Sequence, residues 1–430
     1  MILLTSRFEQ SFSIRSDERR WRFYQRLLGV MRLLYYCPEF YYRHGGRTHA
    51  RGFFNALKKL PYIEEAHLYP KDDPDQGSDI SYGEKKSADK LHFLPPVLRR
   101  LVRFFRPKRS LTSKLVAEIS EHNCDILVIR TGVSQPDLKR IKKACPHVLI
   151  CLEINSAYID ESFPRLLFKS LFQRWEVSRF ASADAISTVS TRLRDYLIRF
   201  GVSADKILVN HNGVDETGFQ TENSLAALQS LGIPESAFVV GYVGGMESFR
   251  RLPEVVGYIA DLRAAGHDDI FLVIVGDGRD MPIVKQVIDS RRDDLRDSVV
   301  LTGWRSHDEV RSFMGAFDIA IFPFTNDYCS PLKLFEYLAA GLPTIAPDTH
   351  AVREVFENGV HLLMARQDGS DFSRLLLTLK DDRDLRIRLG QNGCNLVLSE
   401  YTWVKNAERL IDHMMNRRGG ARSGIAGCEV

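Results

Sequence analysis

From residue 31 onward, short apolar runs alternate with amphipathic stretches of helical period. In the first half, the runs at 32–36, 126–130, 148–152, 185–189 and 207–210 predict buried strands. Stretches such as 51–59 and 164–180 predict the helices between them. The second half repeats the rhythm, with strands predicted at 239–243, 270–275, 299–302, 319–323 and 344–346. Its helices are predicted at 253–265, 281–290, 307–316 and 331–340. Strands that alternate with helices form parallel sheets covered on both faces. Two such series predict an α/β protein with two doubly wound domains.

The polar stretch 216–234 marks the expected boundary, giving domains at 31–220 and 235–395. Residues 396–416 read as a C-terminal helix, and the Gly-rich segment 417–430 as a disordered tail. Residues 1–30 are charged and aromatic and do not join the pattern. They read as a peripheral extension or an early start call, with a basic amphipathic anchor as the other reading.

A chain of 430 residues suits two domains of roughly 150–200 residues each. Its 44% hydrophobic and 27% charged residues place it among ordinary globular proteins. A net charge of +4 is too mild to identify a partner. The seven cysteines are odd in number and form no CxxC pair, which argues against a disulfide framework or a zinc site. No apolar run approaches the ~20 residues that span a bilayer. The N-terminus lacks a signal-peptide pattern. The expected location is the cytoplasm, with peripheral attachment to the inner membrane face as an option.

Ligands of doubly wound sheets bind at the carboxyl ends of the strands, so the following loops carry the candidate chemistry. After 239–243 comes Gly244-Gly245-Met246-Glu247-Ser248-Phe249-Arg250-Arg251. Glycines admit a phosphate close to backbone amides, and Arg250 or Arg251 can neutralise a diphosphate. A tight turn with surface arginines is the plain alternative. After 319–323, Ser330 suits an N-cap, Pro331 the first helical position and Gly341 the helix end. Glu336 lies mid-helix among Leu334, Phe335 and Leu338, where a carboxylate needs a partner. A ribose diol is one such partner; a neighbouring strand or loop is another. Lys333 lies one turn earlier, near the helix start where phosphates would lie.

The first domain opens with Gly45-Gly46 after the first strand, and His49 follows in the first turn of the next helix. His49 is either a substrate contact or structural. The strand at 148–152 leads into Glu153 and Asn155, which meet the sugar or acceptor or else form a turn.

Residues 85–114 hold ten Lys or Arg against one acid, Asp89. Within them, Arg99, Arg100, Arg103 and Arg106 alternate with apolar residues at helical spacing. That pattern suits an anionic membrane surface, or a solvated face over a core helix. A nucleic-acid partner is not expected, because no recognised binding motif accompanies the charge.

Several segments together resemble the retaining GT-B glycosyltransferases of family 4, the "glycosyltransferases group 1". They are Gly45-Gly46-Arg-Thr-His49, Glu153-Ile-Asn155, Ala183–Ser190, Asn210–Asp215, Val275–Gly278, Leu301–Trp304 and Ser330–Pro343. The resemblance runs over about 31–416, in the family's order. It implies two Rossmann-like domains facing a cleft, with the acceptor on the first and a nucleotide-sugar donor on the second. It implies donor contacts at Gly46, Gly245, Arg250, Gly276, Trp304, Pro331, Leu332, Lys333 and Glu336, with Glu336 on the ribose. His49, Glu153 and Asn155 are the candidate catalytic residues. No metal or other cofactor is expected, since basic side chains and helix N-termini stabilise the leaving group.

Two departures stand out. The family's first glutamate, eight positions before Glu336, is Tyr328 here, with Asp327 beside it. The family's Lys-Gly pair appears as Arg250-Arg251. The expected function is sugar transfer from a nucleotide sugar to a cell-envelope glycan or lipid-linked acceptor, with retention. The alternatives are a degenerate GT-B protein that binds a nucleotide or protein partner, or, more weakly, a phosphorylase or epimerase on the same fold.

Overall fold

The computed structural model describes residues 30–38, 40–41, 45–71, 95–105, 108–132, 135–163, 165–217, 224–291, 293–326 and 330–423. The chain divides into two compact units. The first contains the described residues up to Thr188, then Tyr196–Leu208, and the chain from Ala407 on. The second contains Val189–Asp195 and Val209–Asn406.

The first unit holds strands β1 (Met31–Tyr36), β2 (Ile63–Tyr69), β3 (Ile126–Arg130), β4 (Leu149–Ile154), β5 (Ala185–Thr188) and β6 (Ile207–Val209). They form one sheet in the order β2-β1-β3-β4-β5-β6, with β1 to β5 paired in parallel. The order reverses between β1 and β3, which makes their carboxyl ends the natural ligand crevice. Central strands β3 and β4 are apolar and buried almost throughout, as a sheet covered on both faces requires.

The second unit holds β7 (Phe238–Val243), β8 (Ile270–Val275), β9 (Val299–Gly303), β10 (Ile319–Ile321), β11 (Thr344–Pro347) and β12 (Leu363–Ala365). Their order is β12-β11-β10-β7-β8-β9, all parallel. Here the switch point lies between β7 and β10. Alternate residues of each strand feed two separate cores. Val240, Tyr242, Leu272 and Ile274 pack with helices Leu252–Ala264, Met281–Asp289 and Phe372–Asp381. Val239, Val243, Val273 and Val275 pack with helices His307–Met314 and Leu332–Ala339. Helix Arg383–Glu400 braces the last of these through Gly390, where a Cβ would lie 2.1 Å from the Gly341 carbonyl oxygen.

Several expectations need correction. β2 was not predicted: its exposed Glu64 and Glu65 break the apolar run, and an edge strand tolerates such charge. The three-residue β12 also escaped. Gly45 and Gly46 form the first turn of helix Gly45–Lys59, not a preceding loop, so His49 falls in its second turn. Ser330 is not the N-cap. Pro331 takes that position, the helix begins at Leu332, and the Ser330 hydroxyl accepts the Asn212 amide at 3.1 Å. Gly341 does close the helix, at φ +71°.

Residues 396–416 are not one helix, because Arg383–Glu400 ends first and Trp403–Ser423 then begins. The break is fixed by backbone bonds from Val214 to Tyr401 and from Trp403 to Val214. The last helix runs to Ser423, so the described part of the expected tail is helical. The boundary expected at 216–234 falls earlier. Residues from Val209 already belong to the second unit, held by Asn210 and Asn406 side chains on the Asn406 and His211 carbonyls. Residues 1–29 and 424–430 lie outside the described part.

Candidate functional site

In the second unit, three loops meet at the carboxyl ends of β7, β8 and β9. The Gly244 amide donates to Val275, the Met246 amide to Asp277, and the Gly276 amide to Gly303. Gly276 has φ +143°, and a Cβ there would lie 2.0 Å from the Gly244 carbonyl oxygen. Only glycine allows this approach. Gly245 is the next link, its carbonyl accepting the buried Tyr242 hydroxyl at 2.8 Å.

Arg250 ends a short 3-10 turn, Ser248–Arg250, in the loop after β7. Its Nη1 donates to the Phe324 carbonyl at 2.8 Å, and the guanidinium lies 4.2 Å from the centre of the Phe322 ring. Arg250 is thereby fixed across the switch point, since Phe322 and Phe324 lie in the loop that leaves β10. Its remaining donors have no protein partner among the described residues.

Arg251 stands where the resemblance expects glycine, and it adopts the left-handed φ of +53° that glycine would take freely. Its Nε donates to Glu254 at 2.6 Å, its Nη1 to the Gln367 carbonyl at 3.0 Å, and it covers the Phe324 ring at 3.7 Å. These contacts offset the backbone strain, so the loop keeps its turn without the glycine.

Glu336 lies in the second turn of helix Leu332–Ala339 and is 2% exposed. Its Oε2 is paired with Lys333 Nζ, while its Oε1 has no protein partner among the described residues. Tyr337 clamps this helix to the end of β7, its hydroxyl accepting the Val243 amide at 2.7 Å and donating to the Val243 carbonyl at 3.1 Å. Burial pushes the Tyr337 phenol well above its ordinary value, with Glu336 acting in the same sense and Arg250 against it. Pro331 and Leu332 form the start of the helix, where the N-terminal field favours an anion.

Trp304 directly follows β9 and is 60% exposed. Sequence reasoning missed His307, the first residue of helix His307–Met314, which Ser306 caps. Burial holds its imidazole below the ordinary value, while the nearby Glu336 charge acts the other way. The positions of Asp327 and Tyr328 lie outside the described residues.

In the first unit, His49, Glu153 and Asn155 do come together, with Arg130 and Tyr35, which the sequence reading missed, joining them at Glu153. Glu153 lies in β4, one residue before its end, and is 3% exposed. Its Oε1 lies 2.6 Å from His49 Nε2, is paired with Arg130, and accepts the Asn155 amide at 3.2 Å. Its Oε2 accepts the Tyr35 hydroxyl at 2.9 Å. Burial alone would raise the Glu153 pKa, but His49 and Arg130 outweigh it and hold the carboxyl well below the usual range. A carboxylate so held is a poor general base. It orients His49 and Asn155 instead. Arg130 was legible in principle, since it ends β3 in register with Glu153.

Of the basic residues assigned to a membrane, Arg99 and Arg100 lie on helix Pro96–Phe105. The Arg103 side chain and Arg106 lie outside the described residues. No described helix is long and apolar enough to cross a membrane.

Residues 45–217 match the family model "Glycosyltransferase Family 4", and residues 237–382 match "Glycosyl transferases group 1". A D-inositol 3-phosphate glycosyltransferase of Stackebrandtia nassauensis is 27% identical over 240 residues, 54% of each chain. One from Corynebacterium kroppenstedtii is 26% identical over 287 residues, 64% of this chain and 62% of that protein. The chain thus spans little more than half the length of these curated relatives. Among solved structures, Anabaena Alr3699/HepE in complex with UDP-glucose superposes with a TM-score of 0.65 at 16% identity, over 90% of this chain and 100% of that one. That likeness shows the fold, which agrees with the two six-stranded sheets. The chain therefore belongs to the family 4, group 1 glycosyltransferases of the GT-B fold.

Proposed function

We propose that the protein transfers a sugar from a nucleoside-diphosphate donor to a cell-envelope glycan or lipid-linked acceptor, with retention of the anomeric configuration. One observation carries the donor part: Glu336 is buried in the helix that follows β10, and its Oε1 has no protein partner among the described residues. A carboxyl group in that position favours a pair of hydroxyl donors, as a ribose diol offers. Arg250, Lys333, Gly245 and Gly276 surround the place for a diphosphate, with Pro331 and Leu332 at the helix start and Trp304 at the rim. In this reading, leaving-group charge is met by Arg250, Lys333 and the helix N-terminus without a divalent ion. Undiminished turnover in a chelator checks that point.

The Anabaena neighbour's complex with UDP-glucose supports a nucleotide-sugar donor of this kind. One curated relative, the lipopolysaccharide 1,2-N-acetylglucosaminetransferase of Salmonella typhimurium, supports an envelope acceptor. In the first unit, His49 and Asn155, oriented by Glu153, are the proposed contacts to the transferred sugar or acceptor.

A thermal-shift panel with UDP, GDP, ADP and dTDP tests the donor site. One nucleotide is expected to raise the melting temperature of the wild type by mass action. Glu336→Gln is expected to weaken that nucleotide by ~10–30-fold, the loss of one or two charge-assisted hydrogen bonds. Equal shifts in both proteins would remove Glu336 from the site.

A further inference from the structure

Within the first unit, helices Pro96–Phe105 and Lys169–Ser178 present an apolar face that no described residue covers. Phe105 and Trp175 stack with ring centres 3.8 Å apart, which joins the two helices. On the inner side, Leu101, Phe104, Phe105, Ile159 and Phe163 form a closed cluster. The inner face of Lys169–Ser178 is also fixed. Glu176 accepts the Tyr158 amide and the Tyr196 hydroxyl, and Gln173 donates to Asp160. The outer side differs. Leu167 is 80% exposed, Phe168 83% and Leu171 67%, with Trp175 half exposed beside them. Leu98, on the neighbouring helix, is exposed as well.

Phe168 is moreover held at a left-handed φ of +54°, which projects an aromatic ring from the helix start. Isolated exposed apolar residues need no explanation, but a contiguous group does.

Charge selects the occupant. Residues 96–109 carry six Lys or Arg and no acid, and residues 165–179 carry four against one acid, Glu176. Glu176 is buried, whereas Arg100, Arg165 and Arg174 are exposed. Apolar tips with an aromatic ring, framed by cations, match the boundary between acyl chains and anionic headgroups. We propose that this face docks the protein on an anionic lipid bilayer, with Leu167, Phe168, Leu171 and Trp175 entering the interface. The basic stretch alone suggested headgroup contact; the structure adds the second helix and the inserting side chains.

Co-sedimentation of the full chain with vesicles tests this. Wild type is expected to bind mixed phosphatidylglycerol–phosphatidylcholine vesicles and not phosphatidylcholine alone. The double variant Leu167→Ser/Phe168→Ser changes two side chains outside the packed cluster and should melt as wild type does. It is expected to bind ~30-fold more weakly, from the apolar area no longer buried. Arg100→Gln/Arg174→Gln is expected to flatten the salt dependence of binding. Unchanged binding by the serine variant overturns the proposal. So does a wild-type dimer in sedimentation velocity that the serine variant dissolves, which would assign the face to a second copy. Binding that appears only after residues 1–29 are deleted would assign it to that segment. Nucleotide thermal shifts should be the same in the serine variant, which separates this proposal from the donor site.

Discussion

Replacing Arg250 by alanine is expected to lower kcat by ~10²–10³-fold, the loss typical when one preorganised donor to a developing charge is removed. As the sugar–oxygen bond breaks, negative charge grows on the diphosphate, so a cation fixed beforehand acts more on the transition state than on the bound donor. Arg250 is fixed in this way. One nitrogen is committed to the Phe324 carbonyl, and the plane is held against Phe322. Arg250→Lys keeps the charge but loses the planar fork and the stacking, so it should recover only part of the rate. The measurement is steady-state transfer with the nucleotide found in the thermal-shift panel. KM should change less than kcat. If Arg250→Ala lowers the melting temperature while leaving kcat intact, the arginine is a loop pin and not a charge stabiliser.

Much of this site can be read from the chain because its chemistry is local. The β7 and β8 loops announce themselves by glycines directly after apolar runs. Glu336 stands out as a carboxylate within a buried helix face. His307 gave no such signal. In the sequence it is an ordinary polar residue behind a serine cap, and its nearness to Glu336 arises only when β9 and β10 take their places in the sheet.

The strands show the same division. β3, β7 and β8 are continuous apolar runs and were expected within a residue or two of their ends. β2 was lost because an edge position relaxes the demand for apolar residues on both faces. The unit boundary was misplaced for a related reason. Residues 209–217 are held by amide side chains on distant carbonyls, and hydrophobic periodicity carries no record of such bonds.

Glu153→Ala is expected to destabilise the first unit by ~3–5 kcal/mol, the cost of stranding buried charge when one partner is removed. For a unit of this size that is roughly 6–20 °C in melting temperature. The size follows from what remains behind. The side chain of Arg130 is 7% exposed and that of His49 is 9% exposed. The fully buried Tyr35 hydroxyl would lose its acceptor as well. Removing the hub together with its cation should cost less than the sum of the parts. Glu153→Leu/Arg130→Met is therefore expected to lie well above the additive value, which a double-mutant cycle measures.

The pH dependence has a definite sign. The folded carboxyl titrates well below the unfolded one, so its stabilisation is present above the unfolded value near 4.5. It is lost as pH falls towards the folded value. The gap between wild type and Glu153→Ala should thus be widest at neutral pH and narrow on acidification below 4.5. A gap independent of pH would mean that Glu153 acts through packing alone. A gap in melting temperature matched by an equal loss of transfer at low temperature, where both proteins are folded, would show that the hub also positions His49 and Asn155 for the reaction.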